Sequence, residues 1–166
     1  MNTYLLTWNP AKWPWPDLGE CIQNIHRNGV HSDRWSCGHS RKIVVGDRVF
    51  LIRQGQEPRG IVGSGWVASP VFDDRHWDEA KQAAGQRAWY ILVDFDVLLD
   101  ADREPILPRA QLNVGVLGSM HWDTQTSGIT IPAEVAKQLE VKWKKLLKGK
   151  SSLRGVPKAR RRQRPT

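Results

Sequence analysis

Two strand patterns near the middle of the chain set strict limits on its fold. Asp47 to Gln54 and Arg59 to Ala68 are both rich in apolar residues, and the turn-forming sequence GQEP joins them. Further short strands are predicted at 4–8, 88–99 and 127–132. Closely spaced strands with few helical crossovers favour an α+β fold, in which a small mixed, mostly antiparallel sheet curls into a barrel flanked by helices.

Helices are predicted near both ends of the strand-rich region. The segment 16–29 stops at Gly29, and the segment 132–147 begins with Pro132, a residue favoured at the first helical position. Their apolar stripes consist of Leu18, Cys21, Ile22 and Ile25 in the first helix and Val135, Leu139, Trp143 and Leu146 in the second. A short helical turn is predicted at 108–112.

The glycine-rich sequence GIVGSG, residues 60–65, matches neither a dinucleotide fingerprint nor a phosphate loop. Glycine inside a strand permits close approach of another chain segment. We therefore predict a strand that another backbone or a ligand approaches closely.

The net charge of +8 is concentrated at the C-terminus. Residues 148–166 contain eight Lys and Arg and no acid, whereas residues 1–147 contain 17 basic and 17 acidic residues. We therefore predict one domain at 1–147 and a disordered basic tail or linker at 148–166. Such a tail binds phosphates without reading sequence. A merely solvated terminus is the alternative.

The two cysteines, Cys21 and Cys37, are too few for a disulfide framework, which favours a reducing compartment. The N-terminal sequence MNTYLLTWNP lacks the basic start and apolar stretch of a signal peptide. There is also no run of about 18 apolar residues. We expect a soluble cytoplasmic protein without a membrane partner.

No group of residues has the spacing of a catalytic or metal site. Cys37 and His39 lie too close together to share a zinc ion comfortably, and no second ligand pair accompanies them. His121, Asp123 and Ser127 occur without the nucleophile elbow of a hydrolase. We expect no catalytic residue, metal or cofactor, and therefore a binding protein rather than an enzyme. A nuclease with an unrecognised site is the alternative.

Nine tryptophans exceed what the core of such a domain needs. Several lie beside small hydrogen-bonding residues, in TWNP (7–10), WPW (13–15), RWS (34–36) and HWDTQTSG (121–128). A pocket for an unstacked base needs ring walls and a few donors and acceptors. Flipping a base costs a few kcal/mol, and stacking returns about 1–3 kcal/mol per base, so two indoles could offset the extrusion.

The same segments resemble the EVE domain family, which belongs to the PUA-like group and is related in fold to the YTH readers of methylated adenine. The matching sequences are TWNP, WSCG (35–38), GDRVFLIRQG (46–55), PRGIVGSGWV (58–67) and W-x-x-Q-x-SG-I-x-IP (122–132). They span most of residues 3–147. These segments most resemble the sequences of EVE domains fused to HNH nucleases in modification-dependent restriction systems. Those domains hold a flipped modified cytosine in an aromatic cage.

The resemblance implies a PUA-like barrel of about six strands with the cage at one mouth. The expected ligand is DNA that carries 5-methyl- or 5-hydroxymethylcytosine. The base pocket is expected to comprise Trp8, Asn9, Trp35, Ser36, Trp122 and Ser127. Its rim is expected to include Trp13, Trp15, Arg34 and Gln125. Phosphate contacts are expected from Arg53, Arg59, Lys158, Arg160, Arg161 and Arg162. We expect Trp35 to be a partly wet pocket wall and Trp143 to be a core residue.

Three alternatives remain open at the level of sequence. No His-Asn-His signature and no Cys-x-x-Cys pair follows the matching region, so any cleavage is expected from a fused or partner nuclease. RNA is an alternative ligand, because PUA-like barrels often bind RNA and single strands suit stacking platforms. A methylated lysine is another, but its cage is expected to include an acid. None flanks Trp8 or Trp35 directly, and Asp33 is two positions from Trp35.

Overall fold

The chain has the α+β fold predicted from its sequence. A computed structural model describes the backbone of residues 1–162 and the side chains of residues 1–150. The strands are β1 (Thr3–Trp8), β2 (His31–Ser36), β3 (Arg48–Arg53), β4 (Gly60–Val67), β5 (Phe72–Arg75), β6 (Arg87–Leu98), β7 (Leu107–Pro108) and β8 (Ile129–Ile131). The helices are α1 (Leu18–Asn28), α2 (Glu79–Ala83) and α3 (Ala133–Arg162), with two 3-10 helices at Arg109–Asn113 and Gly115–Ser119.

The strands form one mostly antiparallel sheet in the order β2-β6-β4-β3-β1-β8. The β1–β3 pair is parallel, and the short strands β5 and β7 pair with β6 and β4. Within the described residues no strand ladder joins β2 to β8, so the sheet is open where a barrel was predicted. Strand β8 is only three residues long, and all of them pair with β1. The two ends of the sheet nevertheless lie close together. Gly128, just before β8, is so near to Cys37, just after β2, that a Cβ on Gly128 would overlap the Cys37 carbonyl.

The glycines of β4 allow β6 to pack closely against it. A Cβ on Gly65 would lie 2.6 Å from the Asp94 carbonyl oxygen, and a Cβ on Gly63 would lie 3.0 Å from that of Val97. Real Cβ atoms do not approach backbone oxygens at 2.6 Å without displacement. The prediction that another backbone approaches the GIVGSG segment is therefore confirmed.

The two long helices cover the sheet through the predicted apolar stripes. Helix α1 ends at Gly29, whose φ of 83° is the left-handed conformation that glycine favours at this position. In α3, Trp143 is 1% exposed, and its indole N–H donates to the Ser64 hydroxyl at 2.9 Å. Trp143 is thus a core residue, as predicted. Within residues 1–162, none of the helices combines the length and apolar character that crossing a membrane requires.

Helix α3 extends past residue 147, where the sequence pattern places its end. Lys150 pairs with Glu104 at 3.0 Å, so the folded unit includes the first residues of the predicted tail. Lys158, Arg160, Arg161 and Arg162, which were expected to bind phosphate, lie outside the residues whose side chains are described.

The sequence patterns missed several short elements. These are β2, β5, α2, β7 and the second 3-10 helix. The most important of these is β2. Its inward positions include His31 and Asp33 rather than a run of apolar residues, which is why the pattern did not predict a strand. Strand β2 pairs with β6 in a register that sets Trp35 opposite Ile91 and Ser36 opposite Tyr90.

Candidate functional site

A cavity of about 380 Å³ lies where the ends of β1 and β2, the start of β6, the residue after β3 and the loop before β8 meet. Its aromatic lining comes from five separate parts of the chain: Trp8, Trp13, Trp35, Trp77 and Tyr90. Its volume falls within the range of about 300–1,000 Å³ that is usual for small-molecule pockets. The structure therefore gathers the dispersed tryptophan segments of the sequence at one concave site.

Trp35 forms a wall of the cavity and is also packed into the protein. Its side chain is 6% exposed, and its ring centroid lies 4.9 Å from that of Trp15 and 6.0 Å from that of Phe95. Its indole N–H donates to the Thr7 carbonyl at 3.1 Å. Trp35 lies at the cavity wall, where it was expected, but the expectation of a partly wet residue is wrong because neighbouring rings cover most of the indole.

The WPW segment supplies two of the neighbouring rings. Trp13 is half-buried and lines the cavity, and it stacks on Trp15 with a centroid separation of 5.4 Å. The indole of Trp8 donates to the Trp13 carbonyl at 2.8 Å, which anchors this segment to the end of β1. Trp15 is 3% exposed and lies behind the wall rather than on the rim, where it was expected.

Gln54 and Ser127 present polar groups with fixed hydrogen-bonding roles. The Gln54 amide nitrogen donates to the carbonyls of Trp122 and Thr124 at 2.5 and 3.2 Å. Two carbonyl acceptors fix the orientation of the amide, so its oxygen remains available as an acceptor. The Ser127 hydroxyl accepts the Thr7 N–H at 3.2 Å, which leaves its own O–H as a donor. Both residues line the cavity.

Asn9 and Ser36 also line the cavity, as expected. The side-chain oxygen of Asn9 accepts the Ala11 N–H at 3.0 Å, which leaves the side-chain amide nitrogen as a donor to other groups. A Cβ on Gly55 would lie 2.5 Å from that nitrogen, so the glycine after Gln54 makes room for the Asn9 side chain. The Ser36 hydroxyl accepts the Gly38 N–H at 3.4 Å.

Charged groups of both signs surround the cavity. The Arg34 guanidinium lies 4.2 Å from the Tyr90 ring centroid and pairs with Asp74 at 2.9 Å. Burial raises the pKa of the Tyr90 hydroxyl, which donates to the Arg75 carbonyl at 2.6 Å. Asp33 lines the cavity beside Arg34. Two exposed basic residues, Lys12 and His39, complete the charged part of the lining.

Two further residues expected at the site have other positions in the fold. Trp122 is fully buried, and its indole N–H donates to the Leu117 carbonyl at 2.7 Å, so it is a core residue rather than a pocket wall. Arg53 is 2% exposed and lies 5.6 Å from the Trp8 ring, with Asp102 at 3.4 Å. A guanidinium buried in this way does not reach the phosphates of a nucleic acid.

Arg59 lies at the surface but is engaged by acidic residues. It pairs with Glu57 at 2.9 Å and with Asp123 at 3.2 Å. Asp123 is also held by Arg109 at 2.8 Å, and this hydrogen bond lowers the pKa of the Asp123 carboxyl. A phosphate at Arg59 would have to displace both carboxylates. Gln125, the remaining expected rim residue, does line the cavity.

Several residues of the cavity lining were not predicted from the sequence, above all Gln54, Trp77 and Tyr90. The position of Tyr90 opposite Ser36 depends on the pairing of β2 with β6, and β2 has no apolar alternation that would have revealed it. Gln54 follows β3 directly and precedes a glycine, which is a typical position for a site residue. Nothing in the local sequence distinguishes Trp77.

No family model and no curated protein matches the sequence. Several solved structures share the fold. A hypothetical protein from Leishmania major has a TM-score of 0.60 at 16% identity, over 87% of this chain and 96% of its own. Two bacterial proteins, from Pseudomonas syringae and Pseudomonas putida, have TM-scores of 0.53 and 0.52 at 18% and 17% identity. Each covers 84% of this chain and 97% of its own. The likeness establishes the fold alone.

Proposed function

We propose that this protein is a nucleic-acid reader that holds a flipped, modified base in its tryptophan-lined cavity. The observation that carries the proposal is the convergence of Trp8, Trp13 and Trp35 with oriented polar groups at a cavity of about 380 Å³. The preferred ligand is DNA that contains 5-methyl- or 5-hydroxymethylcytosine. The resemblance to EVE domains supports the same ligand class.

Stacking on the tryptophans of the cavity would offset the cost of base extrusion. Removing a base from a duplex costs a few kcal/mol, and one aromatic contact returns about 1–3 kcal/mol. Trp13 is half-buried and Trp35 is 6% exposed, and their ring centroids lie 5.6 Å apart at an interplanar angle of 69°. A base can therefore stack on one ring and meet the other edge-on, which is a favourable aromatic arrangement.

The polar groups of the cavity suit the edge of cytosine. Cytosine offers an amino donor together with ring nitrogen and carbonyl acceptors. The Gln54 oxygen and the Asp33 carboxylate can accept from the amino group, while the Ser127 hydroxyl and the Asn9 amide can donate to the acceptors. Because burial leaves an unmatched polar group without water, this combination discriminates between bases.

Binding to the nucleic-acid backbone would come from Lys12 and His39 at the cavity and from the basic residues after 150. This contribution is electrostatic and independent of the base. Cleavage would require a fused or partner nuclease, as in the restriction systems whose EVE domains this chain resembles. RNA is the alternative ligand, since a single strand presents its bases without extrusion.

A methylated ammonium ligand is a second candidate because Asp33 lines the aromatic cavity. An aromatic cage with an acidic residue suits a quaternary ammonium. The Arg34 guanidinium, 4.2 Å from the Tyr90 ring, opposes this candidate because it occupies an aromatic face with a positive charge. We therefore favour the base over the ammonium ligand.

The test is a binding array with the full chain at constant salt concentration. It comprises duplex and single-stranded DNA with cytosine, 5-methylcytosine or 5-hydroxymethylcytosine at one position, the matching RNAs, and a trimethyl-lysine peptide. We expect the tightest binding to one of the modified DNA duplexes. Equal affinity for modified and unmodified nucleic acids would refute the proposal, and selective capture of the peptide would favour the second candidate.

A further inference from the structure

Three potential metal ligands converge where α1 packs against the start of β2. Cys21 lies on the buried face of α1, and His31 and Asp33 occupy alternate positions of β2, so their side chains share one face of the strand. The thiol, an imidazole nitrogen and a carboxylate oxygen all lie within 4.8 Å of one another. A helix and the strand that follows it therefore bring three different ligand types together.

The Nε2 atom of His31 has no hydrogen-bond partner among the described residues, although it is buried. The Asp33 carboxylate lies 3.5 Å from it, which is longer than the 2.7–2.9 Å of a charge-assisted hydrogen bond. Buried polar atoms without a partner are rare in folded proteins. A ligand bound by both His31 Nε2 and the Asp33 carboxylate oxygen would account for the distance of 3.5 Å between them.

Groups around the cluster are arranged as they are around metal ligands. The side-chain amide of Asn24 lies 3.2 Å from the other ring nitrogen of His31, so it can fix the orientation of the imidazole. Metal binding at Nε2 requires the proton on Nδ1 and the Asn24 oxygen facing it, which is the amide orientation opposite to the one shown.

We propose that Cys21, His31 and Asp33 form a site for a divalent metal ion, with zinc as the favoured ion. Thiolate, imidazole and carboxylate are the three ligand types that zinc accepts in proteins. Calcium and magnesium are disfavoured because they select oxygen ligands. Binding converts the Cys21 thiol to a thiolate and releases its proton to solvent.

The distances allow coordination after a small local contraction. Zinc bonds of about 2.0–2.3 Å in a tetrahedron place ligand atoms about 3.3–3.8 Å apart. The His31–Asp33 distance of 3.5 Å already meets this condition. The upper limit of 4.8 Å for the whole set means that the remaining atoms move together by about 1 Å. Water completes the fourth position of the tetrahedron.

The site would connect helix α1 to the wall of the aromatic cavity. Asp33 belongs both to the cluster and to the cavity lining, and Trp35 lies two positions further along the same strand face. A bound ion would hold the first part of β2 in place and fix the direction of the Asp33 carboxylate. This inference does not depend on which ligand the cavity binds.

Cobalt(II) titration of the full, tag-free chain tests the site directly. A cobalt–thiolate bond produces a charge-transfer absorption that imidazole and carboxylate ligands do not give. We expect this absorption to saturate at one Co²⁺ per chain and to disappear on addition of Zn²⁺. Absence of the absorption in the wild-type chain would overturn the proposal.

The chain supplies its own control, because Cys37 is a second buried free cysteine outside the cluster. Cys37→Ser should retain the absorption, whereas Cys21→Ser should lose it; the reverse result would refute the assignment. If Cys21→Ser fails to fold by circular dichroism, Asn24→Ala provides the second measurement. That variant should retain the absorption and bind Co²⁺ about 10–100-fold more weakly. Unchanged affinity in Asn24→Ala would contradict the predicted arrangement around His31.

Discussion

The indole N–H of Trp35 donates to the backbone carbonyl of Thr7 at 3.1 Å, which joins β2 to β1 although these strands are not neighbours in the sheet. The bond crosses the open part of the sheet at the cavity. Trp35 therefore has two roles, because one part of its indole forms the cavity wall while the rest packs between strands. Loss of this residue should affect both folding and binding.

We predict that Trp35→Ala lowers the free energy of unfolding by about 3–5 kcal/mol, since it removes a large side chain that is 6% exposed. Binding of the modified base should weaken as well. Thermal or denaturant unfolding and binding curves on the folded fraction measure the two effects. Trp143→Ala is the control, because this residue is equally buried but lies outside the cavity. It should lose stability and keep selectivity, and a loss of selectivity would contradict its assignment to the core.

Trp13→Ala should separate binding from stability. Trp13 is half-buried and lines the cavity, so its removal should cost about 1–3 kcal/mol of base binding and less folding stability than Trp35→Ala does. Trp66→Ala is the matched control, because Trp66 is 41% exposed and is not part of the cavity lining. Titration calorimetry on both variants gives the comparison. Equal losses of affinity would show that the cavity is not the binding site.

We predict that stability falls at alkaline pH through the two cysteines. Burial raises the pKa of Cys21 and Cys37 from the ordinary 9.0 to about 11. Above pH 9 the unfolded chain therefore releases these protons before the folded chain does. The contribution to stability is complete below pH 9 and is lost as the pH rises towards about 11. Tyr90, whose pKa burial also raises, acts in the same direction.

The measurement for this prediction is denaturant unfolding between pH 8 and 11 in the presence of a chelator. A variant with both cysteines changed to alanine should show a smaller decline over this pH range while retaining the part due to Tyr90. An identical pH profile in the variant and the wild type would contradict the assignment to the thiols.

The residues after Lys150 should contribute binding that is independent of base modification. Since Lys150 pairs with Glu104, a truncation after residue 150 preserves this contact and removes six Lys and Arg. The slope of log affinity against log salt concentration for duplex DNA should become shallower by up to about 5. Affinity for modified and unmodified DNA should fall by similar factors. Loss of selectivity instead would place the tail within the reading site.

The larger elements found from the sequence are those rich in apolar residues. Helices α1 and α3 have apolar stripes, and strands β3 and β4 are buried along nearly their whole length. Strand β2 was missed because His31 and Asp33 occupy its inward positions, where an apolar residue is the usual choice. Those two residues belong to the proposed metal site, and local sequence rules often fail at functional positions.

The tryptophans illustrate which part of the site the sequence can predict. Trp35 and Trp122 have similar neighbours in the sequence, yet only Trp35 reaches the cavity, while Trp122 is fully buried beneath the loop before β8. The difference arises from tertiary packing, since the facing of a loop residue has no period to reveal it. Arg53 was misplaced for a related reason, because its charge is compatible with the surface but its strand position is buried.

The hydrogen bond from the Thr7 N–H to the Ser127 hydroxyl spans 120 positions of the sequence, and it has a consequence for synthesis. The cavity lining runs from Thr7 to Ser127, so the binding site cannot assemble until nearly the whole domain has left the ribosome. Until then the early tryptophans lack the residues that cover them. Contacts of such long separation slow folding, and exposed apolar surface promotes aggregation of incomplete chains. The yield of active protein in a cell should therefore depend on chaperones that shield these early indoles during translation.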